Sequence, residues 1–370
     1  MRAVTRPVDA RSRPRARGDV ARTRARASAR RSVDAETYAA LIAERIRARD
    51  GRAAGMRGAV YDGALGVVVR LADVRGAVID LADRGFTRGH AVFDAATVAD
   101  GRAHLLDEHA RRFAANARRA GVCGEALDVD FVRELAMETI RVGGVIEGQV
   151  RVYATSGSDG LNFNLCDATE PRTATLYVVA YAKDPVKCAA DEDCVGLRAV
   201  SSPIPIKSPQ YATLKSTNYL QNVHVAQHAR DLGDADVGVF LTQSGMIGEA
   251  PGANVAFLTP DGTLRTPPST EVLGGITIAR VKELISSNAK ALKAVGVKRF
   301  DDSQQLSPLV VLGAKEAMLI GSAVNIQGIT KWDSKTIGDG SVGPATRLLA
   351  KLLVNDMRGG VRASASSAQE

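Results

Sequence analysis

Lys215, in the stretch TLKSTNYL at 213–220, has the features of a candidate nucleophile. A free lysine amine has a pKa of about 10.4 and is protonated at neutral pH. Burial or a neighbouring cation lowers that pKa and leaves a neutral amine that can attack a carbonyl carbon. The lysine follows Leu214 and precedes a predicted helix, so a surface lysine at a strand–helix junction is the alternative interpretation.

A candidate carboxylate, Glu249, lies in the stretch IGE at 247–249, and a turn containing Pro251 leads from it to the apolar stretch NVAF at 254–257. A buried glutamate beside a pyridine ring keeps the ring nitrogen protonated, and the protonated ring then accepts electrons. A turn carboxylate that caps the following strand would give the same pattern.

Glycines precede a predicted helix in the stretch LGGIT at 273–277. Glycine lets backbone N–H groups approach an anion, and the helix dipole adds attraction for one phosphate group. An ordinary helix N-cap by Thr277 is the alternative. The sequence has neither a Walker A loop nor a GxGxxG motif, which argues against a nucleotide site.

Taken together, these stretches resemble the fold-type IV aminotransferases, because Glu249 lies 34 residues after Lys215 and the Gly-Ile-Thr helix start lies 26 further on. The similarity is strongest over 213–281 and extends over about 58–357. Other stretches that resemble the family are DRGF at 83–86, RGHAVFD at 88–94, LDEHARRF at 106–113, GSA at 321–323, IGDG at 337–340 and GP at 343–344.

The resemblance implies a pyridoxal 5'-phosphate enzyme with one catalytic residue, Lys215, and two further residues that bind the cofactor ring. Lys215 would carry the cofactor as an internal aldimine and, once displaced by substrate, move the α-proton as base and acid. Glu249 would bind the pyridine nitrogen, and Tyr219 would hydrogen-bond the ring hydroxyl. Members of the family are homodimers, so the resemblance also implies a homodimer.

The resemblance assigns the remaining candidate residues to the phosphate and the substrate. Arginine suits phosphate because its guanidinium presents a fork of donors. The phosphate would be held by Arg112, by the backbone N–H groups of Ile276 and Thr277 and by the hydroxyl of Ser322, while Phe93 and Ala323 would line the substrate pocket.

The substrate is predicted from details of these stretches. Lys215 lies three residues before Asn218, a shorter spacing that D-amino-acid aminotransferases share with aminodeoxychorismate lyases. GHAVFD and EAPGANVAF are most similar to plant plastid D-amino-acid transaminases. We therefore expect transamination of a D-amino acid such as D-alanine with 2-oxoglutarate.

The alternatives are 4-amino-4-deoxychorismate lyase, giving 4-aminobenzoate and pyruvate, and a branched-chain L-amino-acid aminotransferase. Arg172 lacks the following histidine of an Arg-x-His substrate clamp, so the carboxylate-binding residues stay open.

The elements that would position these residues mix strands and helices without strict βαβ alternation, which predicts the α+β class. Hydrophobic periodicity is the signal for each element. It predicts helices over 104–120, 218–232, 277–294 and 345–357; strands over 66–69, 77–80, 92–98, 150–154, 175–182, 237–242 and 255–258; strand character at Ile140, Val142 and Val145; and two strands within 310–328.

The domain organisation predicted from composition and resemblance is a two-domain fold-type IV enzyme. The smaller N-terminal α/β domain is predicted to precede a larger, β-rich domain that binds the cofactor. The predicted segments are a disordered Arg-rich transit peptide at 1–32, a helix and linker at 33–57, the small domain at 58–184, a linker at 185–196, the large domain at 197–360 and a disordered tail at 361–370.

The net charge of +8 comes from the amino-terminal segment, where 11 arginines and two acids within residues 1–32 give +9 and leave −1 for the rest. This composition is typical of organelle transit peptides and predicts plastid import, with mitochondrial import as the alternative. A basic arm that binds nucleic acid is the non-enzyme alternative, but the segment has no aromatic residue for base stacking.

No metal site is predicted, because the four cysteines form no CxxC pair. No apolar run approaches the roughly 20 residues of a membrane span.

Overall fold

The computed structural model describes most of the chain between residues 58 and 359. The predictions for 1–57 and 361–370, and part of those for 77–80 and 185–196, lie outside the described residues. The described ranges are 58–62, 66–70, 79–123, 127–158, 174–184 and 188–359.

Strands and helices alternate irregularly along these ranges. The strands are β1 (Gly58–Asp62), β2 (Val67–Arg70), β3 (Ala91–Ala99), β4 (Arg102–Ala103), β5 (Gly148–Thr155), β6 (Thr175–Ala182), β7 (Leu197–Pro205), β8 (Val237–Leu241), β9 (Asn254–Leu258), β10 (Thr263–Arg265), β11 (Arg299–Asp301), β12 (Glu316–Gly321), β13 (Asn325–Trp332) and β14 (Lys335–Thr336). The helices are α1 (Arg84–Arg88), α2 (Leu106–Arg119), α3 (Val129–Gly143), α4 (Pro209–Ala212), α5 (Leu220–Leu232), α6 (Ile276–Ser287), α7 (Ala289–Ala294), α8 (Val310–Gly313) and α9 (Pro344–Met357).

The first sheet is six-stranded and antiparallel, in the order β2-β1-β6-β5-β3-β4. Alternate residues of a strand point to opposite faces. One face packs against α2 and α3 through a core that includes Val92, Val98, Phe113 and Val150. The opposite face of β3 and β5 carries Phe93 and its neighbours, which become a wall of the site described below.

The second sheet has eight strands, in the order β11-β10-β9-β12-β13-β7-β8, with β14 beside β13. It is mixed, because β7 pairs in parallel with both β13 and β8 while β9, β12 and β13 are antiparallel. Helices α6, α7 and α9 contribute to the core on one face, where Leu264, Leu284, Leu292, Met318 and Leu349 are completely buried or nearly so. This sheet supplies the strand ends and the helix start that bear the phosphate-binding candidates.

The predicted α+β class is confirmed, because two sheets combine with helices without strict βαβ alternation. Strands β1–β6 fall within the predicted small domain and β7–β14 within the predicted large one. The domain boundaries themselves stay a prediction. No helix of the described ranges is long and apolar enough to cross a membrane.

Strand character at Ile140, Val142 and Val145 was a wrong prediction. The first two of these residues lie in helix α3, and Val145 follows its end. Asp128 caps the start of α3 by accepting hydrogen bonds from two backbone N–H groups, and Gly144 ends it with φ of 59°. The buried residues of α3, including Leu135 and Ile140, repeat at helical spacing, so the apparent alternation was a short-range coincidence.

Two further boundaries differ from the predictions. The predicted helix over 277–294 is two helices, α6 and α7, separated at Asn288. The predicted pair of strands within 310–328 begins instead with the one-turn helix α8, and the strands are Glu316–Gly321 and Asn325–Trp332. A short apolar run does not distinguish a helical turn from a strand.

Candidate active site

A cavity of about 420 Å³ is lined by residues of both sheets. All nine candidate site residues line it: Phe93, Arg112, Lys215, Tyr219, Glu249, Ile276, Thr277, Ser322 and Ala323. A larger cleft, of about 1060 Å³, lies beside His104 and Asp356 and contains none of the nine. The smaller cavity is the candidate site because the groups suited to chemistry converge there.

The backbone around Lys215 is hydrogen-bonded to strand β3. Its backbone C=O accepts a hydrogen bond from the N–H of Phe93 at 3.0 Å, and the N–H of Thr217 donates to the C=O of Ala91 at 3.0 Å. These bonds fix the lysine against β3, with Nζ 4.7 Å from the centre of the Phe93 ring. Burial lowers the pKa of Lys215 to about 8, with Asp94 opposing the shift and Arg112 adding to it. The amine is therefore far more often neutral at physiological pH than an exposed lysine.

Glu249 lies after β8, where a turn returns the chain to the cavity. Its Oε2 accepts a hydrogen bond from the backbone N–H of Leu273 at 3.2 Å. Burial raises the pKa of Glu249 to about 7, although Lys215 and the Leu273 N–H oppose the shift. A buried carboxylate is stabilised when it accepts a hydrogen bond from a cationic N–H donor. A protonated pyridine nitrogen is such a donor.

Tyr219 lies on the aromatic side of the cavity. Its ring meets the Phe93 ring edge-on with centroids 5.3 Å apart, and Lys207 Nζ lies 5.2 Å from the Tyr219 centroid. Burial raises the pKa of Tyr219 to about 12, and the Glu249 charge adds to the rise. The phenol therefore stays protonated near neutral pH and can donate a hydrogen bond into the cavity.

The start of helix α6 forms the anion-binding end of the cavity. Gly275 is the N-cap, and no side chain caps the first turn, so its N–H groups remain available at the positive end of the helix dipole. Thr277 is thus inside the helix, which excludes the interpretation that it is a plain N-cap. Its hydroxyl lies 3.0 Å from the Ser322 hydroxyl. A Cβ on Gly275 would collide with Asn254 Oδ1, so a larger residue there would have to displace the Asn254 side chain, whose Nδ2 donates to the C=O of Leu273.

Arg112 is positioned by Asp94, a residue that the sequence argument missed. The completely buried Asp94 carboxylate accepts from Arg112 Nε and Nη2 and from His109 Nδ1, each at 2.8 Å. Burial alone would raise the pKa of Asp94, but Arg112 and His109 outweigh it and hold that pKa below its usual range. Arg112 Nη1 also donates to the C=O of Gly274 at 2.9 Å, which places the guanidinium beside the helix start.

Several other residues that line the cavity were missed, and three of them are polar residues on strands. Arg151 and Tyr153 come from β5, and Asn254 comes from the start of β9. The alternation Arg151–Tyr153 was visible in the sequence, but its face could be assigned only once the pairing of β5 with β3 was known. The open question about Arg172 lies outside the described residues.

The residues present fit pyridoxal phosphate. The fit rests on a lysine with a lowered pKa, a buried carboxyl that can accept from a ring N–H, and an uncapped helix start beside Arg112. These match an aldehyde, a pyridine nitrogen and a phosphate, respectively.

Comparisons with known proteins agree with this geometry. A family model described as amino-transferase class IV matches residues 91–332. The chloroplastic D-amino-acid transaminase of Arabidopsis thaliana is 32% identical over 289 residues, covering 76% of this chain and 72% of the relative. The D-alanine aminotransferase of Bacillus licheniformis is 23% identical over 290 residues, covering 78% and 95%. The branched-chain amino acid aminotransferase of Thermobaculum terrenum in its PLP form superposes with a TM-score of 0.68 at 19% identity, covering 82% of this chain and 95% of that one.

Proposed function

Because the chain belongs to the amino-transferase class IV family, we propose that this pyridoxal-phosphate-dependent aminotransferase transfers the amino group of a D-amino acid to a 2-oxo acid. D-alanine as donor and 2-oxoglutarate as acceptor are the proposed pair. The D specificity is supported by the similarity to the D-amino-acid transaminase of Arabidopsis thaliana and the D-alanine aminotransferase of Bacillus licheniformis. The solved branched-chain structures are too distant in sequence to support more than the fold.

The observation that carries the proposal is the convergence of Lys215 and Glu249 on one cavity. When bound, pyridoxal phosphate supplies an aldehyde carbon and a ring that accepts electrons from the bond broken at the substrate α-carbon. Lys215 Nζ would hold the aldehyde carbon covalently. Once released by the substrate amine, the same nitrogen would take the α-proton and return it at the other end of the reaction, because its pKa of about 8 suits both steps.

Other residues of the cavity would bind and orient the cofactor. Glu249 would hold the ring nitrogen in its protonated form, and Tyr219 would donate to the ring hydroxyl. The phosphate would be bound by Arg112, by the backbone N–H groups of Ile276 and Thr277 and by the Ser322 hydroxyl, with Phe93 and Ala323 against the substrate.

The test is a panel of amino donors in D and L forms, each assayed with 2-oxoglutarate on the full chain. We expect turnover of D-alanine and none of L-leucine. Turnover of L-leucine alone would instead support a branched-chain L-aminotransferase. Pyruvate and 4-aminobenzoate formed from aminodeoxychorismate without any oxo acid would support the lyase.

The covalent step is tested separately with Lys215→Ala. Borohydride reduction of the wild-type protein should attach the cofactor irreversibly and raise the protein mass accordingly. Lys215→Ala should show no such mass increase. Attachment in the variant would refute the role of Lys215, whatever the substrate.

We also propose that the protein is a homodimer and is imported into plastids. The dimer is supported by the resemblance to a family of homodimers. Leu81, Phe86 and Leu220 are large apolar side chains that expose 72%, 67% and 68% of their surfaces. Import is supported by the Arg-rich segment 1–32 and by the chloroplastic relative. Light scattering would test the dimer, and a fluorescent fusion to residues 1–57 would test import.

A further inference from the structure

A second lysine, Lys207, lies next to the candidate active site, on the side of Glu249. Lys207 follows strand β7, where the N–H of Ile206 donates to the C=O of Leu241 at 3.0 Å and ties the chain to strand β8. The Lys207 Nζ lies 5.2 Å from the centre of the Tyr219 ring. The side chain is half-buried and does not line the 420 Å³ cavity, so it does not face the substrate space.

Lys207 and Glu249 both line a small cavity of about 20 Å³. Lys215 and Tyr219 line it too, and these two residues and Glu249 also line the 420 Å³ cavity. Glu249 therefore lies at the boundary between the two cavities and is shared by both. Because roughly 10–15 Å³ is enough for one water, the small cavity can hold a water that accepts from Lys207 Nζ and donates to the carboxylate.

The Glu249 carboxylate can accept more hydrogen bonds than it does. Within the described ranges it accepts one, from the Leu273 N–H at 3.2 Å. Burial raises the pKa of Glu249, and Lys215, the Leu273 N–H and Lys207 oppose the rise, in that order. Burial likewise lowers the pKa of Lys207, and the Glu249 charge opposes that shift. The lysine and the carboxylate therefore stabilise each other's charged forms.

The other two cations near Glu249 have different tasks in the proposed reaction. The amine of Lys215 must be neutral to attack the aldehyde carbon, so Lys215 does not provide a constant positive charge. Arg112 is bonded to Asp94 through Nε and Nη2 and lies at the phosphate end of the cavity. Lys207 is the third cation that acts on Glu249, and its charge has no part in the bonds made and broken.

We infer that Lys207 is a positioning residue for Glu249, whose carboxylate it keeps charged and directed towards the ring nitrogen of the cofactor. This inference rests on the proposed aminotransferase function and adds to it a residue that acts through Glu249 without touching cofactor or substrate. A charged carboxylate makes a stronger hydrogen bond to a cationic N–H than a neutral carboxyl does. A ring nitrogen that keeps its proton makes the ring a better electron acceptor.

The experiment measures cofactor binding and not turnover. The two ligands are pyridoxal phosphate and its 1-deaza analogue, in which a C–H group replaces the ring nitrogen, so that the hydrogen bond to Glu249 cannot form. Each ligand is titrated by calorimetry into the cofactor-free full chain. The variants are Lys207→Met, Lys207→Arg, Glu249→Gln and the double variant of Lys207→Met with Glu249→Gln. Lys282→Met is the matched control, because Lys282 Nζ also lies beside an aromatic ring, 5.4 Å from the centre of Phe300, and Lys282 lines neither cavity.

We expect Lys207→Met to raise the Kd of pyridoxal phosphate by about 3- to 10-fold, the range for one hydrogen bond, and to change the Kd of the 1-deaza analogue by less than about twofold. Lys207→Arg, which keeps the charge, should raise the Kd of pyridoxal phosphate less than Lys207→Met does. Lys282→Met should change neither Kd. In the double variant, Lys207→Met should add nothing to the effect of Glu249→Gln, since the lysine acts through the carboxylate.

Three results would overturn this inference alone, provided that Glu249→Gln weakens the binding of pyridoxal phosphate. They are an unchanged Kd of pyridoxal phosphate in Lys207→Met, an equal rise for both ligands, and additive effects in the double variant. If Lys207→Met does not fold, Lys207→Gln carries the same test. A Glu249→Gln protein that binds pyridoxal phosphate as tightly as wild type would overturn the role of Glu249 and this inference with it. A wild-type protein that binds neither ligand would overturn the proposed function as well.

Discussion

Replacing Asp94 by asparagine tests how the phosphate-binding arginine is held. Asp94 is completely buried and accepts three hydrogen bonds at 2.8 Å, two from Arg112 and one from His109. Asparagine has nearly the same shape but no charge, and its amide nitrogen would face donors. At least one of the three bonds is therefore lost, and Arg112 is left partly buried without its anion.

Two magnitudes follow from this geometry. Removing one partner of a buried, hydrogen-bonded ion pair costs about 3–5 kcal/mol of folding free energy. At about 2–4 °C per kcal/mol, the melting temperature should fall by roughly 6–20 °C. For the cofactor, weakening one charged hydrogen bond from Arg112 costs about 1.5–3 kcal/mol, so the Kd of pyridoxal phosphate should rise by about 10- to 100-fold.

The assay uses cofactor-free protein, and each variant is measured for melting temperature and for cofactor Kd. Glu316→Gln is the matched control, because Glu316 is also a buried carboxylate with three bonds. It accepts from the N–H of Ala345 at 3.0 Å, and from the N–H and hydroxyl of Thr346 at 2.8 and 2.7 Å, and it does not line the cavity. The control should lose stability and keep its cofactor affinity.

The reasoning would be refuted by an Asp94→Asn protein that melts earlier but binds the cofactor as tightly as wild type. In that case Asp94 would matter only for folding, and Arg112 would be oriented by the Gly274 carbonyl alone.

Three further predictions concern cofactor binding and use. The pKa of Lys215 is about 8, and the amine gains a proton below that pH. The rate at which cofactor-free protein captures pyridoxal phosphate should therefore fall as the pH drops through about 8. Stopped-flow absorbance from pH 6 to 10 would measure this rate, and a midpoint near pH 10 would contradict the prediction. Glu249→Gln should lower kcat by about 10- to 100-fold, since a charged hydrogen bond to the ring is lost, and a kcat within twofold of wild type would exclude that contact. Gly275→Ala should raise the cofactor Kd, because the added Cβ meets Asn254. Gly313→Ala is the control and should leave the Kd unchanged, because a Cβ there has open space around it. Equal cofactor Kd values for the two variants would contradict the steric explanation.

The sequence predicted which residues converge on one cavity better than it predicted the elements around them. Lys215, Glu249 and the helix start at 275–277 could be placed together because their order and spacing match a family, although they are distant along the chain. The periodicity of 218–232 and 345–357 also predicted α5 and α9 to within two residues. These segments are long and amphipathic, so their local signal agrees with their packing.

The rest depended on pairing that no local pattern contains. The contact of Asp94 with Arg112 forms only because α2 packs over β3. Arg151 lines the cavity because its register places it opposite Ala95. Helix α3 was missed because Ile140 and Val142 suggested alternation, while its Asp128 cap is a weaker signal. In each case tertiary packing decided what local propensity left open.

The anion-binding end also links distant parts of the molecule. Arg112 comes from helix α2, which packs on the six-stranded sheet. Thr277 comes from helix α6 and Ser322 follows strand β12 of the eight-stranded sheet. The Thr97 hydroxyl of β3 donates to the Ser322 carbonyl. A ligand bound by residues from both parts stabilises the folded protein. At a hundredfold excess over its Kd, the ligand adds about 2.7 kcal/mol to the free energy of unfolding. Loss of the bound cofactor would therefore raise the fraction of unfolded chain, which is the form that proteases cleave.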